Sequence, residues 1–315
     1  MRKFIIDTDT ATDDVVAIIA ALRAKNIEVL ALTVVAGNVE LKQAVKNSLI
    51  AVQVANTYRP PVYIGMAEPL CRKLVKAENV HGDDGMGNTH LFPSKLKPKK
   101  EHAVCALIRL IEENPYEIEL ITLGPLTNVA MACLRAPKTM EKLKSMTLMV
   151  GSGPNTPGNT TETAEFNAYV DAEALSIILD LNVPKFLVGL DVITRDAFVG
   201  KDNLKHLQES NFFTTKFILR ITKSIKKFNE NMGNEVFDLA DPTAMAATIW
   251  PDIVEQTEEV YATVETNNEE NYGQMFYSIK KKKEEIYNAT ICLKIHREKY
   301  RKHMIDVIFN DGYLE

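Results

Sequence analysis

The stretch FIIDTDTATDDVVAI, residues 4–18, decides the reading of the fold. Phe4, Ile5 and Ile6 form an apolar run that ends abruptly in Asp7, Asp9, Asp13 and Asp14. Val15, Ile18, Ile19 and Leu22 then recur at i, i+3, i+4 and i+7, the spacing of one helical face. A buried strand therefore hands over to an amphipathic helix within a few residues. Thr12 is placed to cap that helix, and Asp13 and Asp14 fall in its first turn, where the dipole favours anions. A helix dipole explains the later pair of aspartates but leaves the earlier pair, directly after an apolar strand, without a role. Two carboxylates about 4 Å apart repel by roughly 4 kcal/mol at an effective dielectric of about 20. A bound cation accounts for all four, and oxygen ligands without nearby His or Cys select calcium or magnesium rather than zinc.

Outward from this stretch, strand-like runs alternate with helix-like runs. Strands are predicted at 3–7, 29–36, 62–65, 118–123, 146–151 and 185–190, most of them continuously apolar, as strands covered on both faces are. Helices are predicted at 40–56, 101–113, 126–135 and 171–181. The alternation specifies an α/β fold: a doubly wound, mostly parallel central sheet flanked by helices, with a Rossmann-like core. Beyond it, a long helix is expected over 201–227 and another over 241–249. Antiparallel strands at 259–264, 275–279 and 287–295 make a C-terminal antiparallel hairpin extension, and a helix over 298–308 closes the chain. With no evident linker or repeat, a single domain over 1–315 is the expectation. Ligands of open parallel sheets sit at the carboxyl ends of the strands. Asp7 and Asp9, Gly37-Asn38, Gly124-Pro125 and Gly151-Ser152-Gly153 all follow strands at that edge.

Composition excludes several function classes. With 46% hydrophobic and 25% charged residues the chain reads as globular, and a net charge of -5 argues against nucleic acid as a partner. The basic run Lys280 to Lys283 meets Glu284 and Glu285 at once, so it reads as a solvated turn. Cys71, Cys105, Cys133 and Cys292 lack paired spacing and read as the reduced thiols of a cytoplasmic protein. No secretory signal is visible, and no apolar run reaches the roughly 18 residues of a membrane span.

Two enzyme classes fit the opening loop. Asp7-Thr8-Asp9-Thr10 matches the DxDxT signature of haloacid-dehalogenase-type phosphohydrolases, in which Asp7 would be the nucleophile, but the downstream acidic pair of that family has no convincing match. The longer pattern DTDxxxDD resembles the inosine–uridine nucleoside hydrolases. So do VVAGN (34–38), HGDDGMG (81–87), TLGPLTNVA (122–130), GNTTETAEFNAYVDAEA (158–174), GLDVITRDA (189–197) and ADPTAMA (240–246), in that family's order and over nearly the whole chain.

That resemblance implies calcium-dependent hydrolysis of the N-glycosidic bond of small-molecule ribonucleosides, giving base and ribose. Such chemistry passes through an oxocarbenium-like sugar and needs an activated water. The resemblance makes Asp9 the general base and a metal ligand, with Asp14, Asp241 and the Leu123 carbonyl as further ligands and Asp7 in support. Asp13, Asn159, Glu165 and Asn167 match its sugar anchors. Spacing alone would equally make Asn159 a loop residue and Asn167 a cap. Asn38 either orients Asp9 or Asp14 or is simply a turn asparagine. His81 matches a histidine near the base pocket. Val150 stands where relatives carry Met in a Met-Gly-Gly turn, which here reads Val150-Gly151-Ser152. Phe228 and Phe237 are placed to stack on a base or to fill the core. One departure stands out: Ala240 occupies the position where relatives carry a His as leaving-group acid. His81 or a residue of 214–234 would have to replace it, unless the substrate needs no strong acid. Otherwise the protein is a metal-dependent ribonucleoside binder with little turnover. Relatives form dimers or tetramers, so a homo-oligomer is expected.

Overall fold

The structure is a computed structural model, and it describes residues 1–91, 95–154, 156–199, 205, 207–231, 237–278 and 287–308. The strands are β1 (Arg2–Thr8), β2 (Ile27–Val34), β3 (Val62–Ile64), β4 (Lys99–His102), β5 (Ile118–Thr122), β6 (Ser145–Met149), β7 (Lys185–Val188), β8 (Phe198–Val199), β9 (Phe237–Asp238), β10 (Val254–Val264), β11 (Met275–Ser278) and β12 (Ala289–Ile295). Among the described residues ten of them form one sheet, in the order β11-β10-β12-β7-β6-β5-β1-β2-β3-β4, while β8 and β9 pair separately. β1 to β7 run parallel, and β12 joins them in parallel through Thr290↔Phe186 and Ile291↔Leu187. β10 pairs antiparallel with both β12 and β11, so the C-terminal hairpin is welded to the sheet rather than hung from it.

The chain enters at β1 in mid-sheet, winds out to β4, then returns to β5 and winds the other way. The direction of winding thus reverses between β1 and β5, where an open sheet forms a crevice. Alternation sends Phe4 and Ile6 to one face and Ile5 to the other, and both faces are dry. Helix Thr12–Arg23 is buried all round, between the sheet and the helices Leu41–Ala55, Ala240–Ile249 and Arg297–Ile308. Such a helix needs apolar residues on every side, and Val15 to Leu22 supply them. The single apolar face expected of it is therefore a correction. The other face of the sheet is covered by Ala103–Glu113, Thr127–Arg135 and Ala172–Asp180.

Other boundaries move for identifiable reasons. Ala11, not Thr12, is the N-cap of the first helix, and the Asp14 carboxylate takes the Ala11 N–H at 2.8 Å; the Thr12 hydroxyl reaches Gly85 O instead. The helix expected from 101 starts at Ala103, because Lys99–His102 pair with β3 as a charged edge strand and His102 Nδ1 accepts the Val104 N–H. The long helix expected over 201–227 is interrupted at Ser210–Phe212 and again at Thr222, whose hydroxyl donates back to Ile218 O. Its start, the Lys280–Lys283 turn and the side chain of Phe237 lie outside the described residues. Of the cysteines, Cys133 and Cys292 are buried and Cys71 is exposed. No described helix is long and apolar enough to cross a membrane.

Candidate active site

The crevice at the winding reversal collects the acidic residues. Asp7 closes β1 beside Thr33 and Thr122 of the neighbouring strands. Its Oδ2 accepts the Thr33 hydroxyl at 2.6 Å and the Asn128 amide at 2.9 Å, while Oδ1 is buried without a partner. Asp7 is thus held by β2 and by the helix Thr127–Arg135 through one of its two oxygens. Asp9 comes next, with its Oδ2 accepting the Asn38 N–H at 2.6 Å and its Oδ1 buried and partnerless. Two backbones press on this carboxylate. A Cβ on Gly37 would lie 2.1 Å from Asp9 Oδ2, and one on Gly124 would lie 2.6 Å from Oδ1. Glycine at both strand ends is what leaves Asp9 its room.

Asp13 and Asp14 open the first helix, and Asp241 opens helix Ala240–Ile249, which packs against it. The short β8–β9 ribbon leads the chain up to that helix start. Carboxylate oxygens of Asp13, Asp14 and Asp241 lie within 4.8 Å of one another, all three residues buried. Asp14 accepts the Thr8 hydroxyl at 2.5 Å, and Asp13 Oδ1 has no hydrogen-bond partner.

Burial pushes the Asp7 and Asp14 carboxyls up to about 7, with the Asp13 charge adding to the effect on Asp14. Asp9 and Asp241 are held well above the carboxylate range by burial first and by their acidic neighbours second. A site whose carboxylates resist ionisation together, and whose inward oxygens lack donors, has the donor set of a hard divalent cation. The residues present fit one.

The surrounding side chains are fixed by backbone contacts. Asn167 spends its amide protons on Leu123 O at 2.9 Å and Met149 O at 3.0 Å, which aims the Leu123 carbonyl and leaves Asn167 Oδ1 as its remaining acceptor. Glu165 caps helix Phe166–Val170: Oε1 takes the Asn167 N–H and Oε2 those of Gly151 and Ala168, and burial raises its pKa. Asn159 is exposed and caps the same corner through the Phe166 N–H. Asn38 reaches Asp9 through its backbone N–H. Val150 is buried in the core between sheet and helices.

His81 sits at the end of the short helix Glu78–His81, its Nδ1 3.7 Å from Asp13 Oδ1. Burial lowers its pKa against the pull of Asp13, so the ring is neutral near pH 7. The loop that follows is wound around the buried Asp84 carboxylate, which accepts the N–H groups of Met86, Asn88 and His90. Asn47 ties it to the acidic loop by donating to both Thr10 O and Asp84 O. Half-buried Phe228 lies on helix Lys223–Asn231, which packs against the turn bearing His81. The sequence reading did not single out Thr8, Thr33, Asn128 or Asn47. Their signal, small polar residues inside apolar elements, is too common to be read alone.

An open parallel sheet with a buried acidic, oxygen-only cluster at its winding reversal has the donor set that metal-assisted hydrolases use. The profile of the family "Inosine-uridine preferring nucleoside hydrolase" matches residues 4–302, and the chain belongs to that family. It is 31% identical over 315 residues to the inosine-uridine preferring nucleoside hydrolase of Crithidia fasciculata, covering 99% of this chain and 98% of that one. It is 32% identical over 273 residues to the pyrimidine-specific ribonucleoside hydrolase RihB of Escherichia coli O157:H7, covering 86% of each. Among solved structures, the plant nucleoside hydrolase PpNRh1 superposes with a TM-score of 0.89 at 28% identity, over 98% of this chain and 99% of that one.

Proposed function

We propose that this protein is a calcium-dependent ribonucleoside N-ribohydrolase that releases a free base and ribose, working in the cytoplasm in nucleoside salvage as a homo-oligomer, with residues 1–315 forming one catalytic domain. The observation that carries the reading is the buried meeting of Asp13, Asp14 and Asp241 beside an Asp9 carboxylate with a partnerless oxygen, in a chain of this family. Asp9, Asp14, Asp241 and the Leu123 carbonyl would hold the ion. When bound, calcium would supply the positive charge that acidifies a water and attracts the sugar's hydroxyl oxygens.

The chain's own residues do the rest. Asp9, its pKa raised by burial, takes the proton of a water beneath the anomeric carbon. Asp13 accepts from the ribose hydroxyls, and Asn167 Oδ1 accepts from another. Glu165 and Asn159 hold the corner on which Asn167 stands. Asp7, clamped by Thr33 and Asn128, fixes the strand end from which Asp9 projects. His81 and Phe228 flank the side on which the base departs, where Ala240 supplies no acid.

Assay of free ribose release from a panel of purine and pyrimidine ribonucleosides tests the reading, with and without a chelator. Expected are calcium-dependent release from at least one and a loss of roughly 100-fold or more in Asp9→Asn, with nucleoside binding retained in calorimetry. Tight binding without release from any nucleoside would make the protein a ribonucleoside-binding protein instead.

A further inference from the structure

The helix Leu41–Ala55 buries two polar side chains, Asn47 and Ser48, among residues that are otherwise apolar. Asn47 ties Thr10 O to Asp84 O, but Ser48 serves neither that loop nor the reaction above. Its Oγ lies 2.6 Å from Thr10 Oγ1, which lies 2.9 Å from Thr8 Oγ1, which in turn lies 2.5 Å from Asp14 Oδ1. All three hydroxyl residues are completely buried. A row of hydroxyls thus runs from a helix in the core, across the opening loop, to one carboxylate of the acidic trio. Packing does not require it, since apolar groups of the same shape can replace a buried hydrogen-bonded pair at little cost.

Protons decide the direction of the row. Each hydroxyl has one to give, and a carboxylate that ligates a cation is ionised and only accepts. Thr8 therefore spends its proton on Asp14 Oδ1. The Thr8 oxygen accepts from the Thr10 hydroxyl and from the Thr10 N–H at 3.1 Å. Thr10, its proton given to Thr8, accepts from Ser48. Ser48 has Ala44 O as its other acceptor at 2.9 Å, so its single proton serves one or the other. Four contacts share three protons, and an ionised Asp14 turns all three its way. The second oxygen of Asp14 is fixed separately, by the Ala11 N–H at 2.8 Å.

We infer that Ser48, Thr10 and Thr8 form a polarised hydroxyl relay that holds Asp14 Oδ1 in place for the cation, with Ser48 and Thr10 as positioning residues that act through Thr8. This rests on the metal reading above. Hydrogen bonds in a buried row polarise one another, so the donor reaching Asp14 is stronger for having two more behind it. Groups behind a metal ligand fix its orientation and tune its basicity, and losing one typically costs 10–100-fold in metal affinity.

Calorimetric titration of calcium into the metal-stripped full-length chain tests the relay without recourse to turnover. Thr10→Val keeps the shape and removes the hydroxyl; it should weaken calcium binding by about tenfold, while Thr10→Ser should bind within about twofold of wild type. Ser48→Ala should cost about threefold in the wild-type background. Added to Thr10→Val it should cost nothing further, because the row is already cut. Melting temperatures in chelator report any packing defect separately. Losses that multiply in the double variant, as independent defects do, would overturn the relay. So would unchanged affinity in Ser48→Ala, a small truncation that carries the test alone should Thr10→Val not fold. Variants that match a calcium-binding wild type overturn the relay only; a wild type that binds no calcium overturns the metal reading and the relay with it.

Discussion

At the scale of single residues, the acidic loop is a set of carboxyls whose ionised form a metal-free interior disfavours. Asp7 and Asp14 are both pushed from 3.8 to about 7, chiefly by burial. The sign of the consequence follows from linkage. With folded-state pKa values raised above those of the unfolded chain, the metal-free protein binds the extra protons. Their stabilising contribution is complete below about pH 4 and is lost as the pH rises through about 7. Calcium binds only the ionised carboxylates, so it has most to offer where that contribution is gone. The rise in Tm on replacing chelator by calcium should be clearly larger at about pH 8 than at about pH 5.5 by scanning fluorimetry. Equal shifts at both would mean that the carboxyls do not titrate with ion binding. The crowding of Asp7, Asp9, Asp13 and Asp14 was plain in the sequence, because charge directly after an apolar strand is unusual. The third member of the buried trio, Asp241, was reached through its ADPTAMA block, since its local pattern is that of any helix start.

At the scale of elements, strand ends do the positioning, and glycine is the device. Gly124 follows β5, and its missing side chain leaves space for the Asp9 carboxylate and backbone. In Gly124→Ala the added carbon would sit 2.6 Å from Asp9 Oδ1 and 2.9 Å from Asp9 N, so the Asp9 carboxylate proposed as general base must shift. A displacement near 1 Å costs about 100-fold in rate, so kcat should fall by about that much with the far-ultraviolet dichroism unchanged. Retained kcat would show that the loop accommodates the methyl group and that Asp9 is less tightly placed. Element types in the winding core were legible because continuous apolar runs of five or six residues bounded by turn residues allow few alternatives. Ends were less so. Neither the strand Lys99–His102 nor the breaks at Ser210–Phe212 and Thr222 follow from local propensity. The first depends on pairing with β3 and the others on how the helical segments pack against the body.

At the scale of the whole molecule, the first helix is the axis around which one face is assembled, and Arg23 ends it. Its guanidinium is buried and donates to Ala55 O, Val307 O, Ile308 O and the Thr214 hydroxyl, so one side chain joins the ends of two helices to the start of a third. Positive charge at helix C-termini is favourable, which compensates its burial. Arg23→Met keeps the apolar stem but strands those carbonyls, and should lower stability by roughly 3 kcal/mol or more, read as a lower urea midpoint. An unmoved midpoint would mean that the carbonyls find water. The periodicity of this helix predicted one apolar face. Its burial on every side was decided by partners distant along the chain, among them helix Ala240–Ile249, which also brings Asp241.

The sequence by itself determined the alternation of elements and the crowding of acidic residues at the carboxyl end of the first strand. Hydrophobic period and charge are local properties of the chain, readable wherever a strand or helix must bury one side of itself. Tertiary structure alone decided which carboxylates meet, that Asp7 is held by Thr33 and Asn128, and that glycines frame Asp9. Those relations join strands and helices distant along the chain, and only packing brings their atoms within hydrogen-bonding or Coulombic reach.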